Sequence, residues 1–220
     1  TAYVAGRRLY RTVDGGGTWT ALPVIDADST RVVTALALAP ALRSSIFAAT
    51  ACLPEVALVS CGASSTIWRS TNSGQNWVQT SSVPGLVNRL AVDPRQSATV
   101  YAAIGAFPGG PSVRAGLLTG DLLRSTDNGV NWASVRGNLP RTPVNAIVID
   151  PSSLPTQLNM PAQRLYAGTD AGVFVTFSAP PNAALLWTDI SGSVIRSLPP
   201  SPVTDLSLRG SDGALFAATF

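Results

Sequence analysis

One eight-residue phrase is written three times along the chain: Thr12-Val13-Asp14-Gly15-Gly16-Gly17-Thr18-Trp19, Ser70-Thr71-Asn72-Ser73-Gly74-Gln75-Asn76-Trp77 and Ser125-Thr126-Asp127-Asn128-Gly129-Val130-Asn131-Trp132. The copies fall about 55 residues apart. In each, a hydroxyl residue is followed two positions on by Asp or Asn, then by Gly two later and by Trp three after that. This spacing prescribes a turn, because an Asx side chain accepts hydrogen bonds from nearby backbone N–H groups and Gly adopts the left-handed conformation. A turn that recurs at a fixed period marks a repeat protein.

Between the turns, three further phrases recur. Val33–Pro40, Val87–Pro94, Val144–Pro151 and Val203–Gly210 align without gaps, with apolar residues alternating along a strand that ends in a turn. Ile46–Thr50, Val100–Ile104, Leu165–Thr169 and Leu215–Thr219 set an aromatic beside small residues, which lets one sheet pack closely on the next while the ring fills the gap. Ala2–Gly6 matches that second phrase. Leu9–Thr12, Ile67–Ser70 and Leu122–Ser125 lead into the repeated turn as a third strand, and the segment starting at each Trp supplies a fourth.

A four-stranded antiparallel unit repeated in this way predicts an all-β chain, a β-propeller whose blades stack around an axis because one sheet cannot bury both of its faces. The units run approximately over 1–31, 32–86, 87–143, 144–201 and, in part, 202–220, as one propeller segment across 1–220 with about four blades' worth of strands. The fourth unit is worn: Val173–Thr176 keeps the third strand, but Thr176 lies eleven positions before Trp187 where the other turns span seven, and Val175 stands where Arg11, Arg69 and Arg124 stand elsewhere. The chain opens and closes in the second phrase. Two readings of the ring follow: a segment of a larger one, or a compact four-bladed ring with an overlapping strand.

The Ser/Thr-x-Asp-x-Gly-x-x-Trp phrase between the third and fourth strands resembles the Asp-box, or BNR, repeat found in the propellers of sialidases, xyloglucanases, sortilin-type receptors and photosystem assembly factors. The resemblance covers nearly the whole chain and implies a structural turn. In that light Thr12, Asp14, Gly16, Ser70, Asn72, Gly74, Ser125, Asp127 and Gly129 organise the hairpins, and Trp19, Trp77 and Trp132 pack over them. The resemblance does not select among those functions, since a fold hosts many sites.

The bulk chemistry narrows the field. All fifteen basic residues are Arg, there is no His, and the net charge is +3. The arginines are spread from Arg7 to Arg209 without a run, which disfavours nucleic acid as a partner. No apolar run is long enough to predict membrane insertion. Without His, the Ser/His/Asp and Cys/His nucleophile systems and histidine metal sites are excluded, and no cofactor is expected. The Arg-Ile-Pro phrase of the resembling sialidases is missing, and Glu55 is the only Glu. Among the acids no pair stands out as the two facing carboxylates that glycoside hydrolysis needs. Cys52 and Cys61, nine residues apart, read either as a disulfide suited to an oxidising compartment or as two buried thiols.

Long connections between the second and third strands remain, 51–64 with Cys52, Glu55 and Cys61, and 105–120 with Phe107 and Arg114. Both lie on the face opposite the repeated turns. Loops of this length either bind something or are tolerated insertions. The expected function is a non-catalytic binding or scaffold propeller, extracellular or periplasmic, that contacts a protein or glycan through these loops, with the remainder of a larger propeller or complex as a further partner. The alternatives are part of a secreted glycoside hydrolase resembling xyloglucanases, and an accessory or assembly subunit of a larger membrane complex.

Overall fold

A computed structural model describes residues 1–52, 64–105, 120–151, 163–177, 185–191 and 201–219. Among these residues there are seventeen strands and no helix. The first sheet holds β1 (Ala2–Ala5), β2 (Leu9–Thr12) and β3 (Thr20–Ala21). The second holds β4 (Arg31–Leu38), β5 (Ile46–Cys52), β6 (Ser64–Ser70) and β7 (Val78–Pro84). The third holds β8 (Leu86–Val92), β9 (Val100–Gly105), β10 (Asp121–Ser125) and β11 (Ala133–Ser134), and the fourth holds β12 (Val144–Asp150), β13 (Arg164–Thr169), β14 (Gly172–Phe177) and β15 (Thr188–Asp189). A pair, β16 (Val203–Leu208) and β17 (Leu215–Thr219), ends the series. Every sheet is an antiparallel meander in chain order.

The second strands lie deepest. All described side chains of β5 and β9 are buried, because Ala48, Ala49, Ala102 and Ala103 let neighbouring sheets close in while Phe47 and Tyr101 fill the space between. Burying a ring of this size contributes about 1.5–3 kcal/mol. One apolar cluster joins the first and second sheets around Leu9, Leu22, Ile25 and Ala48, and others join the second to the third, the third to the fourth and the fourth to the β16–β17 pair. Each sheet is thus covered by the next, and β4, β8, β12 and β16 run side by side along the inner edge of the stack.

The recurring Arg of the third strand has a cross-strand role. Arg11 pairs with Tyr3, Arg69 with Phe47 and Arg124 with Tyr101, each opposite the aromatic of the second strand. The Arg69 guanidinium sits 5.8 Å from the centre of the Phe47 ring. In the fourth sheet Tyr166 faces Val175, and Arg164 donates to the Tyr166 hydroxyl at 3.3 Å. Several boundaries differ slightly from the sequence reading, as where β4 begins at Arg31, β6 at Ser64 and β8 at Leu86. Fourth strands are two residues long, apart from the seven-residue β7.

Candidate functional site

The repeated turns are built as hydrogen-bonded brackets. In the third, the Ser125 hydroxyl donates to Asp127 Oδ1 at 2.8 Å and accepts from the Gly129 N–H at 2.9 Å, while Asp127 Oδ1 accepts from the Asn131 N–H at 2.9 Å. Ser70, Asn72, Gly74 and Asn76 repeat that pattern, as do Thr12, Asp14, Gly16 and Thr18. Gly74 and Gly129 sit at φ 86° and 84°, where a side chain would be strained. The Asn131 N–H, then the Asn131 side chain and the Ser125 hydroxyl, lower the Asp127 pKa to about 2. The Thr12 hydroxyl, followed by the N–H and hydroxyl of Thr18, holds Asp14 well below the ordinary carboxylate range. These carboxylates are used up by their own turns.

The turn tryptophans do more than lie over their hairpins. Trp77 and Trp132 donate their indole N–H to the carbonyls of Gly74 and Gly129 at 3.1 and 3.0 Å, and their rings pack across onto the preceding sheet. Trp187, in the altered fourth turn, is buried between the third and fourth sheets, where its backbone N–H donates to Asn138 Oδ1 at 2.6 Å. In place of an Asx residue, the Thr176 hydroxyl donates to the Leu186 carbonyl at 2.6 Å. Trp19 departs from the expectation of core packing. It is 44% exposed, because no described sheet stands on that side of β3.

The opposite face of the stack carries a different construction. The first strand of every later sheet contains a β-bulge, with the register shifting between Val33 and Ala35, Val87 and Arg89, Val144 and Ala146, and Val203 and Asp205. The extra residues are Thr34, Asn88, Asn145 and Thr204. A bulge leaves one residue unpaired and re-aims its side chain. All four line a single cavity of about 500 Å³ at the inner edge of the stack, together with Val32, Val33, Leu86 and Asp170. Pairing of Arg31 with Cys52 and of Leu86 with Gly105 puts this mouth at the same end as the connections leaving β5 and β9.

Its polar groups form a chain. Asn88 Nδ2 donates to Asn145 Oδ1 at 3.0 Å, and Asn145 Nδ2 donates to Asp170 Oδ1 at 2.8 Å and to the Val203 carbonyl at 3.0 Å. Gly105 makes room for the first amide, since a Cβ there would lie 2.2 Å from Asn88 Nδ2. Arginines nearby are neutralised: Arg31 pairs with Asp26 at 3.0 Å, and Arg89 pairs with Asp205. The mouth therefore offers amides, hydroxyls, one carboxylate and an apolar floor.

These four residues escaped the sequence reading, which took the first strand as simple alternation. The signal was present. Val33, Leu36 and Leu38 are separated by three and then two positions, and Val87, Val144 and Val203 begin the same spacing, so one extra residue is inserted in all four copies. Cys52, at the end of β5, is disulfide-bonded. Cys61, Glu55, Phe107 and Arg114 lie outside the described residues. Asp93, a turn residue, accepts from the N–H groups of Arg95 and Gln96 at 2.7 and 3.1 Å. Among the described residues no group of three or more His, Cys, Asp or Glu is arranged to hold a metal, and no helix is long and apolar enough to cross a membrane.

Solved structures share this architecture. A GH74 xyloglucanase from Xanthomonas campestris superposes with a TM-score of 0.63 at 21% identity over 96% of this chain and 30% of its own. The GH74 enzyme of Niastella koreensis gives 0.59 at 18% identity, over 99% of this chain and 32% of its own. YCF48 bound to a D1 peptide gives 0.56 at 14% identity, over 99% and 58%. The fold is a β-propeller. At these identities the likeness is one of fold, and the chain spans about a third of these two GH74 enzymes. No protein-family model matches the chain. No curated protein matches it either. The propeller's blades thus carry Asx-bracketed turns on one face and a polar axial mouth on the other.

Proposed function

We propose that the chain is the blade array of a non-catalytic binding propeller of the Asp-box type, which engages a protein partner at its axial mouth and the connections around it. The observation that carries the reading is the repeated bulge. Four blades spend an inserted residue on aiming Thr34, Asn88, Asn145 and Thr204 into one cavity, a cost to strand pairing that packing alone does not require. Amides and hydroxyls over an apolar floor suit a peptide, whose backbone offers donors and acceptors in alternation. The turn geometry supports membership of the Asp-box group, and the bonded Cys52 supports an oxidising compartment outside the cytoplasm. Similarity in fold to YCF48 with its bound peptide is in keeping with a protein partner, and the shorter span relative to the GH74 enzymes is in keeping with a larger ring.

Selection from a displayed peptide library on the full-length protein tests this. Bound peptides should lose about tenfold or more in affinity on Asn145→Ala, which removes the centre of the amide chain. Release of reducing sugar from xyloglucan, abolished by Asp121→Asn or Asp170→Asn, would replace the proposal with a hydrolase.

A further inference from the structure

A second cavity, of about 550 Å³, opens on the opposite face at the junction of the first two blades, where β2 and its turn meet the β4–β5 connection. Arg11 and Arg43 both line it, with Val13, Leu38 and Pro40 as its apolar wall. Among the described residues that line it there is no carboxylate. The ion pairs among the described residues, Arg31–Asp26, Arg89–Asp205 and Arg209–Asp212, involve neither arginine. Asp14, close in sequence to Arg11, is bound by Thr12 and Thr18 of its own turn.

The repeat shows what has been changed. The β4–β5 and β8–β9 connections have equal length and the same hydrogen bonds: Ala39 N–H to the Ser45 carbonyl matches Asp93 to Thr99, Ser45 to Leu42 matches Thr99 to Gln96, and Ser73 to Ser44 matches Asn128 to Ala98. Residue by residue, Ala39 therefore stands where the third blade has Asp93 and the fourth has Asp150, and Arg43 stands where the third has Ser97. The third blade's connection, with Asp93 and Arg95, is neutral. The second blade's connection carries Arg43 alone, and the cavity adds Arg11.

We propose that this junction is a binding site for an acidic peptide segment, in which a Glu or Asp carboxylate of the partner is held by Arg11 and Arg43. Guanidinium groups bind carboxylates through paired, charge-assisted hydrogen bonds, and two uncompensated ones in a partly enclosed cavity hold an anion more firmly than surface charges do. Val13 and Leu38 stand exposed at 68% and 40% on the same wall. A free apolar wall beside the arginines fits a partner that alternates acidic with aliphatic residues, and this favours a peptide over a uronic-acid glycan, which lacks aliphatic side chains. The site is independent of the axial mouth.

Fluorescence polarisation of the full-length protein with labelled acetyl-Leu-Glu-Leu-Glu-Leu-amide, its Gln counterpart and an oligogalacturonate tests the proposal. The Glu peptide should bind about tenfold or more tightly than the Gln peptide, and weaken as salt rises from about 50 to about 200 mM. Arg43→Gln, at an exposed position, and Arg11→Gln should each cost about tenfold. Arg8→Gln, outside the cavity, should have no effect. The proposal is overturned by equal binding of the two peptides, by an Arg8→Gln loss as large as that of Arg43→Gln, by preference for the oligogalacturonate, or by no binding up to about 1 mM peptide.

Discussion

Replacing Trp187 and Trp19 in turn by Ala removes the same side chain from equivalent places in two blades, yet the consequences should differ sharply. Trp187 is 5% exposed in the cluster between the third and fourth blades. An indole of about 200 Å² valued at about 25 cal/mol per Å² represents about 5 kcal/mol of burial, and truncation also leaves a cavity. Measured losses for such truncations in cores are about 3–5 kcal/mol. Trp19 is 44% exposed, so it buries about half that area, and water refills the gap it leaves. Trp19→Ala should therefore cost about 2–2.5 kcal/mol. Urea unfolding followed by far-ultraviolet circular dichroism, which does not depend on the deleted fluorophore, gives both midpoints under one condition. Losses within about 0.5 kcal/mol of one another, or a larger loss at Trp19, would refute the claim that each turn Trp draws its stabilisation from the blade before it.

Acid should act on the turns in a defined window. Asp127 is ionised in the folded chain down to about pH 2 against an ordinary value of 3.8, so its contribution is complete above about pH 4 and is lost as the pH falls through about 2. Urea midpoints measured from pH 5 to pH 2 should fall less steeply in Asp127→Asn than in the unmodified chain, because Asn at the matching position 72 keeps the same bracket without titrating. Packing between the last two units can be probed at Gly168, which stands where Ala49 and Ala103 stand in other blades. An added Cβ would lie 2.8 Å from Val203 Cγ1 and 3.3 Å from Ala146 Cβ, so Gly168→Ala should destabilise by about 1–3 kcal/mol, read as a lower thermal midpoint.

The sequence made the blades legible because strand identity was written in residue types that packing demands. Ala48, Ala49, Ala102 and Ala103 are small because neighbouring sheets touch there, and Gly74 and Gly129 are glycine because the turn requires positive φ. The brackets were equally legible, since Ser125, Asp127 and Gly129 bond within four residues of one another. What sequence did not disclose depended on neighbours distant along the chain. The exposure of Trp19 and the burial of Trp187 follow from which sheet stands beside each, and the two residues share the same local position. The axial mouth gathers Thr34, Asn88, Asn145 and Thr204 from four blades, and only their common displacement from strict alternation recorded it. The β4–β5 arginine became informative once Ala39 and Asp93 were seen to occupy equivalent turns.

The inserted residue of each inner strand separates two jobs that a regular strand must perform together. In an unbroken strand, changing an inward side chain also changes a partner in the ladder, so recognition and cohesion are exchanged against each other. Here Leu36, Leu90, Ile147 and Leu206 grip the neighbouring sheets through apolar contact, while the bulged positions lie outside the ladder and, at Asn88 and Asn145, link blades by their amides. Four side chains from four blades consequently face one opening without entering the strand ladders that hold the array together.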